Sequence, residues 1–120
     1  MIDLHVHSTA SDGTVSPSGL AAKGSGFSLM AITDHDNCDG VEEFLAACAG
    51  LDSGSEGKVR LAGIELSVEP GEGYDKFHLL GLGIDPADEG LKRFLRRVLD
   101  GRNERNKRIL ARFAEIGIVI

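Results

Sequence analysis

Residues 2–8 read Ile2-Asp3-Leu4-His5-Val6-His7-Ser8, and Thr9-Ala10-Ser11-Asp12-Gly13 follows directly. The apolar run predicts a strand over Ile2–Val6 that ends in a polar loop. Side chains two apart on a strand project from one face, so His5 and His7 form a two-pronged imidazole pair. Working outward, Ser16-Pro17 opens a short helix, since Ser caps a helix start and Pro fits its first turn, and Gly24 and Gly26 close it. Leu29–Thr33 is the next strand. A second helix is expected from Asp39, with Asp39 and Glu42 spaced as a capping box, carrying Val41, Phe44, Leu45 and Cys48 on one face. It gives way to a polar loop over residues 52–57.

Val59–Leu66 and Phe77–Ile84 are the remaining strands. Strand, helix, strand, helix, strand is the order of an α/β fold with neighbouring parallel strands. Only a short region around Gly71-Glu72-Gly73 separates the last two strands, which predicts an antiparallel hairpin with Glu65 and His78 opposite each other. A long helix is expected from Asp88, with Leu91, Phe94, Leu95, Val98 and Leu99 at helical spacing, a break or kink at Gly101, and Ile109, Leu110 and Phe113 resuming the pattern. Residues 1–86 and 87–120 thus read as a strand-and-helix part and a helical segment. Residues 115–120 form an apolar end. Four strands leave open sheet edges, which favour self-association. A closed (β/α) barrel needs about 250 residues, so the natural protein is expected to continue past Ile120.

Composition narrows the partners. A net charge of -6 provides no overall basic field for long nucleic acid, although bound cations can reverse the field locally and admit a small phosphorylated substrate. No stretch approaches the roughly 18 apolar residues of a membrane span, and the N-terminus has no leader-like region. Cys38 and Cys48 form neither a CxxC motif nor a disulfide framework, and a cytoplasmic location is the expectation. Cys38 lies near candidate ligands but belongs to no thiolate motif.

All four histidines fall at or beside strand ends. The His5–His7 pair reads either as a metal chelate or as a hydrogen-bonded pair at a strand end. Asp12 before Gly13 reads as a turn residue or a ligand. In Thr33-Asp34-His35-Asp36, two carboxylates flank an imidazole and would repel each other without a nearby cation. One of them could instead orient the ring, and the bland alternative is a polar turn. Glu65 ends an apolar run, where a carboxylate is costly unless paired or coordinated. Glu also bridges two cations readily. The mixed nitrogen and oxygen donors suit Zn, Mn or Fe without selecting one.

These segments resemble the polymerase and histidinol phosphatase (PHP) superfamily, and within it the TrpH-like branch of small phosphoesterases. The resemblance rests on Ile2–Ser8 with Ser11-Asp12-Gly13, Ile32-Thr33-Asp34-His35-Asp36, Gly63-Ile64-Glu65-Leu66-Ser67 and His78–Asp85, with Gly101–Asn106 similar to the helix that follows in that branch. It implies the N-terminal part of a distorted (β/α)7 barrel, with two or three divalent ions at its rim. His5 and His7 would hold one ion, Glu65 would bridge it to a second held by His78, and Asp12 and His35 would hold a third. The implied activity is hydrolysis of phosphate esters of small nucleotides by a metal-activated hydroxide. The implied substrates are nucleoside 3′,5′-bisphosphates or the 5′ ends of short RNA. Asp34 and Asp36 would orient ligands or relay protons. Arg102 and Arg105 are candidates for substrate phosphate. Ser8 is another, with an ordinary loop hydroxyl as its alternative.

The family's later histidine motifs are missing, since no histidine follows His78. Each ion would therefore lack a protein ligand, and this chain alone is expected to be inactive. The rival readings are a non-catalytic metal-binding or assembly fragment and a phosphatase for histidinol phosphate.

Overall fold

The structure, a computed structural model, describes residues 1–54 and 57–119. The chain divides into two compact units, Met1–Pro86 and Ala87–Ile120.

In the first unit, strands β1 (Ile2–Val6), β2 (Leu29–Ile32), β3 (Val59–Val68) and β4 (Phe77–Leu82) form one sheet in that order. β1, β2 and β3 run parallel and β4 returns antiparallel to β3. β1 and all four strand starts match the sequence reading, and the ends of β2, β3 and β4 differ from it by one or two residues. The short connections β1–α1–β2 and β2–α2–β3 bring parallel neighbours together, as crossover units require. Helices α1 (Pro17–Lys23) and α2 (Val41–Leu51) bury Leu20, Ala21, Val41, Phe44 and Cys48 against Met30 and Ile32 of β2 and Ala62 of β3. The alternate residues of β2 and β3, including Ala31, Leu61, Gly63 and Glu65, belong to the other sheet face.

α1 starts as its sequence dictates, with Ser16 Oγ accepting from the Gly19 amide and Pro17 in the first turn. It closes at Gly24, which keeps a negative φ and leads into a 3-10 turn over Gly24–Gly26. α2 does not start as expected. Its N-cap is Gly40, no side chain caps it, and the Asp39 amide instead donates to Asn37 Oδ1 at 3.0 Å. The reason is steric. A Cβ at position 40 would stand 2.9 Å from Asp34 Oδ2 and 3.0 Å from both Pro17 Cγ and Ser8 Oγ, so the helix starts on glycine pressed against the loop below it. In the polar loop after α2, Ser55 and Glu56 lie outside the described residues. Asp52 there is held by Lys58 at 2.9 Å and Arg60 at 2.8 Å.

The hairpin register also departs from expectation. Ser67, not Glu65, stands opposite His78, and Glu65 stands opposite Leu80. A slip of two residues preserves side-chain parity, so Glu65 and His78 remain on one face as diagonal neighbours. β1 and β4 are the sheet edges among the described residues, and β4 exposes Phe77, Leu79, Leu80 and Leu82.

The second unit is a single helix, α3 (Glu89–Glu115). Asp88 caps it by accepting from the Leu91 amide at 2.7 Å. It runs through Gly101 without the expected break. It ends where Gly117 takes a φ of 81° and the Ile118 amide reaches back to the Phe113 carbonyl, a Schellman closure. Of the expected apolar end, Ile120 lies outside the described residues.

Candidate metal centre

The C-terminal ends of the three parallel strands meet the start of β4, and there the four imidazoles gather around one carboxylate. Glu65 is 3% exposed. Its Oε2 lies 2.9 Å from His5 Nε2, 2.9 Å from His7 Nε2 and 3.5 Å from His35 Nε2, while Oε1 lies 2.7 Å from His78 Nδ1. The rings form a chain, with centroids 5.1 Å apart from His5 to His7, 4.6 Å from His7 to His35 and 4.9 Å from His35 to His78. β1 changes register with β2 between Asp3 and Val6, the stretch that holds His5, and irregular pairing of this kind re-aims side chains beside sites. His35 extends the ladder past β2 by pairing with Glu65.

Asp12 completes the cluster from the loop, with Oδ1 3.3 Å from His7 Nδ1 and Oδ2 3.7 Å from His35 Nε2. Among the described residues, three groups have donor atoms close enough to share an ion: His5, His7 and Glu65; His7, Asp12 and His35; and His35, Glu65 and His78. This differs from the grouping implied by the resemblance, because His35 also joins Glu65 and His78, and His7 also joins Asp12.

A divalent cation fits these residues. The Nδ1 atoms of His7 and His35 are buried and make no hydrogen bond, the Asp12 carboxylate near His7 Nδ1 standing outside hydrogen-bond geometry. Buried polar atoms of that kind are rare in folded proteins and mark an absent partner. One carboxylate can satisfy one side of each ring, not both.

Burial alone would push the Glu65 carboxyl up, but hydrogen bonds from His5 and His78 and the charges of His35 and His5 outweigh it and hold it below the ordinary range. A carboxyl depressed in the folded state stabilises the fold above its unfolded pKa, and that contribution vanishes as pH falls through the folded value. The metal-free chain is therefore expected to lose stability in acid below the usual glutamate range. Acid titration followed by circular dichroism checks this, and Glu65→Gln removes that component.

The remaining sequence candidates divide clearly. Asp34 is 1% exposed and accepts from the Ser8 amide at 2.7 Å, Ser8 Oγ at 2.7 Å and Ser11 Oγ at 2.6 Å. Asp36 accepts from the Ser67 amide at 2.9 Å. Ser8 is fully buried, and its hydroxyl donates to Asp34 and accepts from the Ala10 amide, as a loop hydroxyl does. Arg102 and Arg105 stand exposed on α3, in the other unit. Cys38 and Cys48 are free thiols, with burial the first cause raising the pKa of each.

Sequence reasoning overlooked Ser11 and the loop glycine. A Cβ on Gly13 would collide with the His7 carbonyl group, a contact no side chain tolerates. Gly13→Ala is expected to force the Asp12 loop away, destabilise the chain by about 1–3 kcal/mol and weaken the His7–Asp12–His35 group. Urea denaturation and Mn2+ titration check both effects. The Asp-Gly pair was the visible signal, and its steric reason was not.

Histidines and carboxylates gathered at the ends of parallel strands define this chain as an α/β protein with a candidate metal centre at the rim of its sheet. The chain belongs to the PHP domain family, whose profile matches residues 3–115. It is 38% identical over 119 residues to a 3′,5′-nucleoside bisphosphate phosphatase of Chromobacterium violaceum, covering 98% of this chain and 39% of that protein. It is 40% identical over 86 residues to a 5′-3′ exoribonuclease of Haemophilus influenzae, covering 69% of this chain and 28% of that one. A solved structure from Bifidobacterium adolescentis, described as a metal-dependent phosphoesterase, superposes with a TM-score of 0.75 at 28% identity, covering 95% of this chain and 38% of the other. The chain thus spans less than half the length of these relatives and matches their N-terminal part.

Proposed function

We propose that this chain carries the metal-binding residues of a phosphoesterase that hydrolyses phosphate esters of small nucleotides. The observation that carries this is the buried Glu65 carboxylate with four imidazoles converging on it, two of them with a buried unpartnered nitrogen. Two of the ligand groups share only Glu65 and together use all four histidines. The chain's own residues therefore suit two divalent ions bridged by Glu65. Asp12 can draw a third only by sharing His7 or His35, or with a further ligand. Nitrogen and oxygen donors suit Mn, Zn or Fe.

When bound, such ions lower the pKa of water to about 7 and neutralise charge on phosphoryl oxygens. The chain's residues supply the frame. Glu65 keeps its two oxygens apart for two partners, the imidazoles fix the rim, and the Asp12 side chain, 69% exposed, faces incoming solvent or substrate. The activities of the relatives support a nucleoside 3′,5′-bisphosphate or the 5′ end of short RNA as substrate. No helix among the described residues is long and apolar enough to cross a membrane, and the free thiols agree with a cytoplasmic setting.

The test is phosphate release from adenosine 3′,5′-bisphosphate, from 5′-phosphorylated RNA and from histidinol phosphate, with Mn2+ or chelator. Chelator-sensitive release from the nucleotides supports the reading, and preference for histidinol phosphate overturns its substrate class. The exposed apolar side chains of β4 favour a second reading, assembly through that edge. Metal binding without turnover, together with concentration-dependent sedimentation, would favour it.

A further inference from the structure

We propose that Asp34 and Asp36 are positioning residues, a clamp that fixes Asp12 and Glu65, the two carboxylates beside His35. Asp34 sets the loop that carries Asp12, and Asp36 sets the strand that carries Glu65. This rests on the metal reading above and deepens it.

On the first side, one buried carboxylate organises the loop. Asp34 Oδ1 accepts from the Ser8 amide and Ser11 Oγ, Oδ2 accepts from Ser8 Oγ, and Ser8 Oγ in turn accepts from the Ala10 amide at 3.0 Å. The Ser8 carbonyl closes the loop by accepting from the Ser11 and Gly13 amides. Asp12 lies inside this closed segment with a largely exposed side chain, so it takes its position from the loop.

On the other side, Asp36 has a φ of 51°, the left-handed region that side chains other than glycine seldom enter. That conformation lets one residue bond β3 twice: its amide donates to the Glu65 carbonyl at 3.0 Å, and its Oδ1 accepts from the Ser67 amide at 2.9 Å. The Glu65 amide donates to the Asp34 carbonyl at 3.1 Å. Glu65 is thus bracketed on both sides by the residues that flank His35. Strained backbone at a site persists when the surrounding structure uses it.

The clamp makes separable predictions, because the two carboxylates hold different segments, Asp34 the loop and Asp36 β3. Asn tolerates the left-handed region and keeps one acceptor oxygen, which is all that the Ser67 amide requires. At position 34, three donors converge on two oxygens, and an amide nitrogen cannot accept. In the full chain, Asp36→Ala is expected to weaken Mn2+ binding about 10- to 100-fold, as loss of supporting groups around metal ligands does. Asp36→Asn, which keeps an acceptor for the Ser67 amide, is expected to lose clearly less than Asp36→Ala. Asp34→Ala and Asp34→Asn should both weaken binding by about tenfold or more. Equal loss in Asp36→Asn and Asp36→Ala, or parent-like affinity in Asp36→Ala, overturns the proposal.

Amide hydrogen exchange in the metal-free chain separates the clamp from the metal reading. Asp36→Ala should speed exchange at Ser67 and spare Ser8, and Asp34→Ala should do the reverse. A parent chain that binds no Mn2+ defeats the metal reading alone, and the exchange pattern then decides the clamp. Unchanged protection at both amides overturns it.

Discussion

Under the proposed reading, Glu65→Gln is expected to leave no more than one divalent ion on each chain and to reduce any phosphoester hydrolysis by about 10³-fold or more, roughly 4 kcal/mol of transition-state stabilisation. Glu65 belongs to two of the three ligand groups, and no other carboxylate does. Gln has nearly the same shape but has one acceptor oxygen and no charge. It cannot serve two cations, and its amide would point donor hydrogens at rings already arranged to meet an acceptor. The His7–Asp12–His35 group alone survives. Elemental analysis of the variant gives the ion count, and phosphate release gives the rate. Glu69→Gln is the control. That carboxylate is exposed and pairs with Lys76 at the surface, and its loss should change neither quantity beyond about threefold.

Phe44→Ala should destabilise the chain by about 3–5 kcal/mol, the usual loss for a fully buried aromatic side chain. Phe44 is 0% exposed and lies in the layer where α1 and α2 meet β2 and β3. Domains of this size are stable by only about 5–15 kcal/mol, so one substitution removes a large share. The same helices hold β2 and β3 side by side, and His35 and Glu65 extend from those strands. Ion binding should therefore be lost along with the fold, at a lower urea concentration. Ile109→Ala on α3, where the side chain is 43% exposed, should cost about 0.5 kcal/mol or less. A Phe44→Ala midpoint equal to that of the parent would contradict the packing described above.

The sequence made some of this legible for definite reasons. His5 and His7 are two apart on a strand, and strand geometry puts such a pair on one face wherever the strand lies, so their convergence on Glu65 could be anticipated. Glu65 and His78 were expected to be directly opposite and are instead diagonal. The length between β3 and β4 does not reveal where a hairpin turns, but the error was two residues, and parity kept both on one face. Asp39 and Glu42 had capping-box spacing, yet Gly40 caps α2, because the space beneath the helix is filled by Asp34, Pro17 and Ser8 from distant segments.

The division of labour around His35 was visible only as two flanking carboxylates. The three donors on Asp34 and the left-handed backbone of Asp36 arise from tertiary packing. No local pattern encodes them. Gly101 shows the converse case. Glycine is a weak helix former, but a long helix absorbs a single one at a cost of about 1 kcal/mol, and α3 continues through it.

Glu65 is proposed to serve two divalent ions, one with His5 and His7 and one with His35 and His78. Anomalous diffraction from crystals of the chain grown with Mn2+ tests it most directly. Two peaks are predicted, one among His5, His7 and Glu65 and the other among His35, Glu65 and His78. Saturating Mn2+ with no peak beside Glu65 would contradict it.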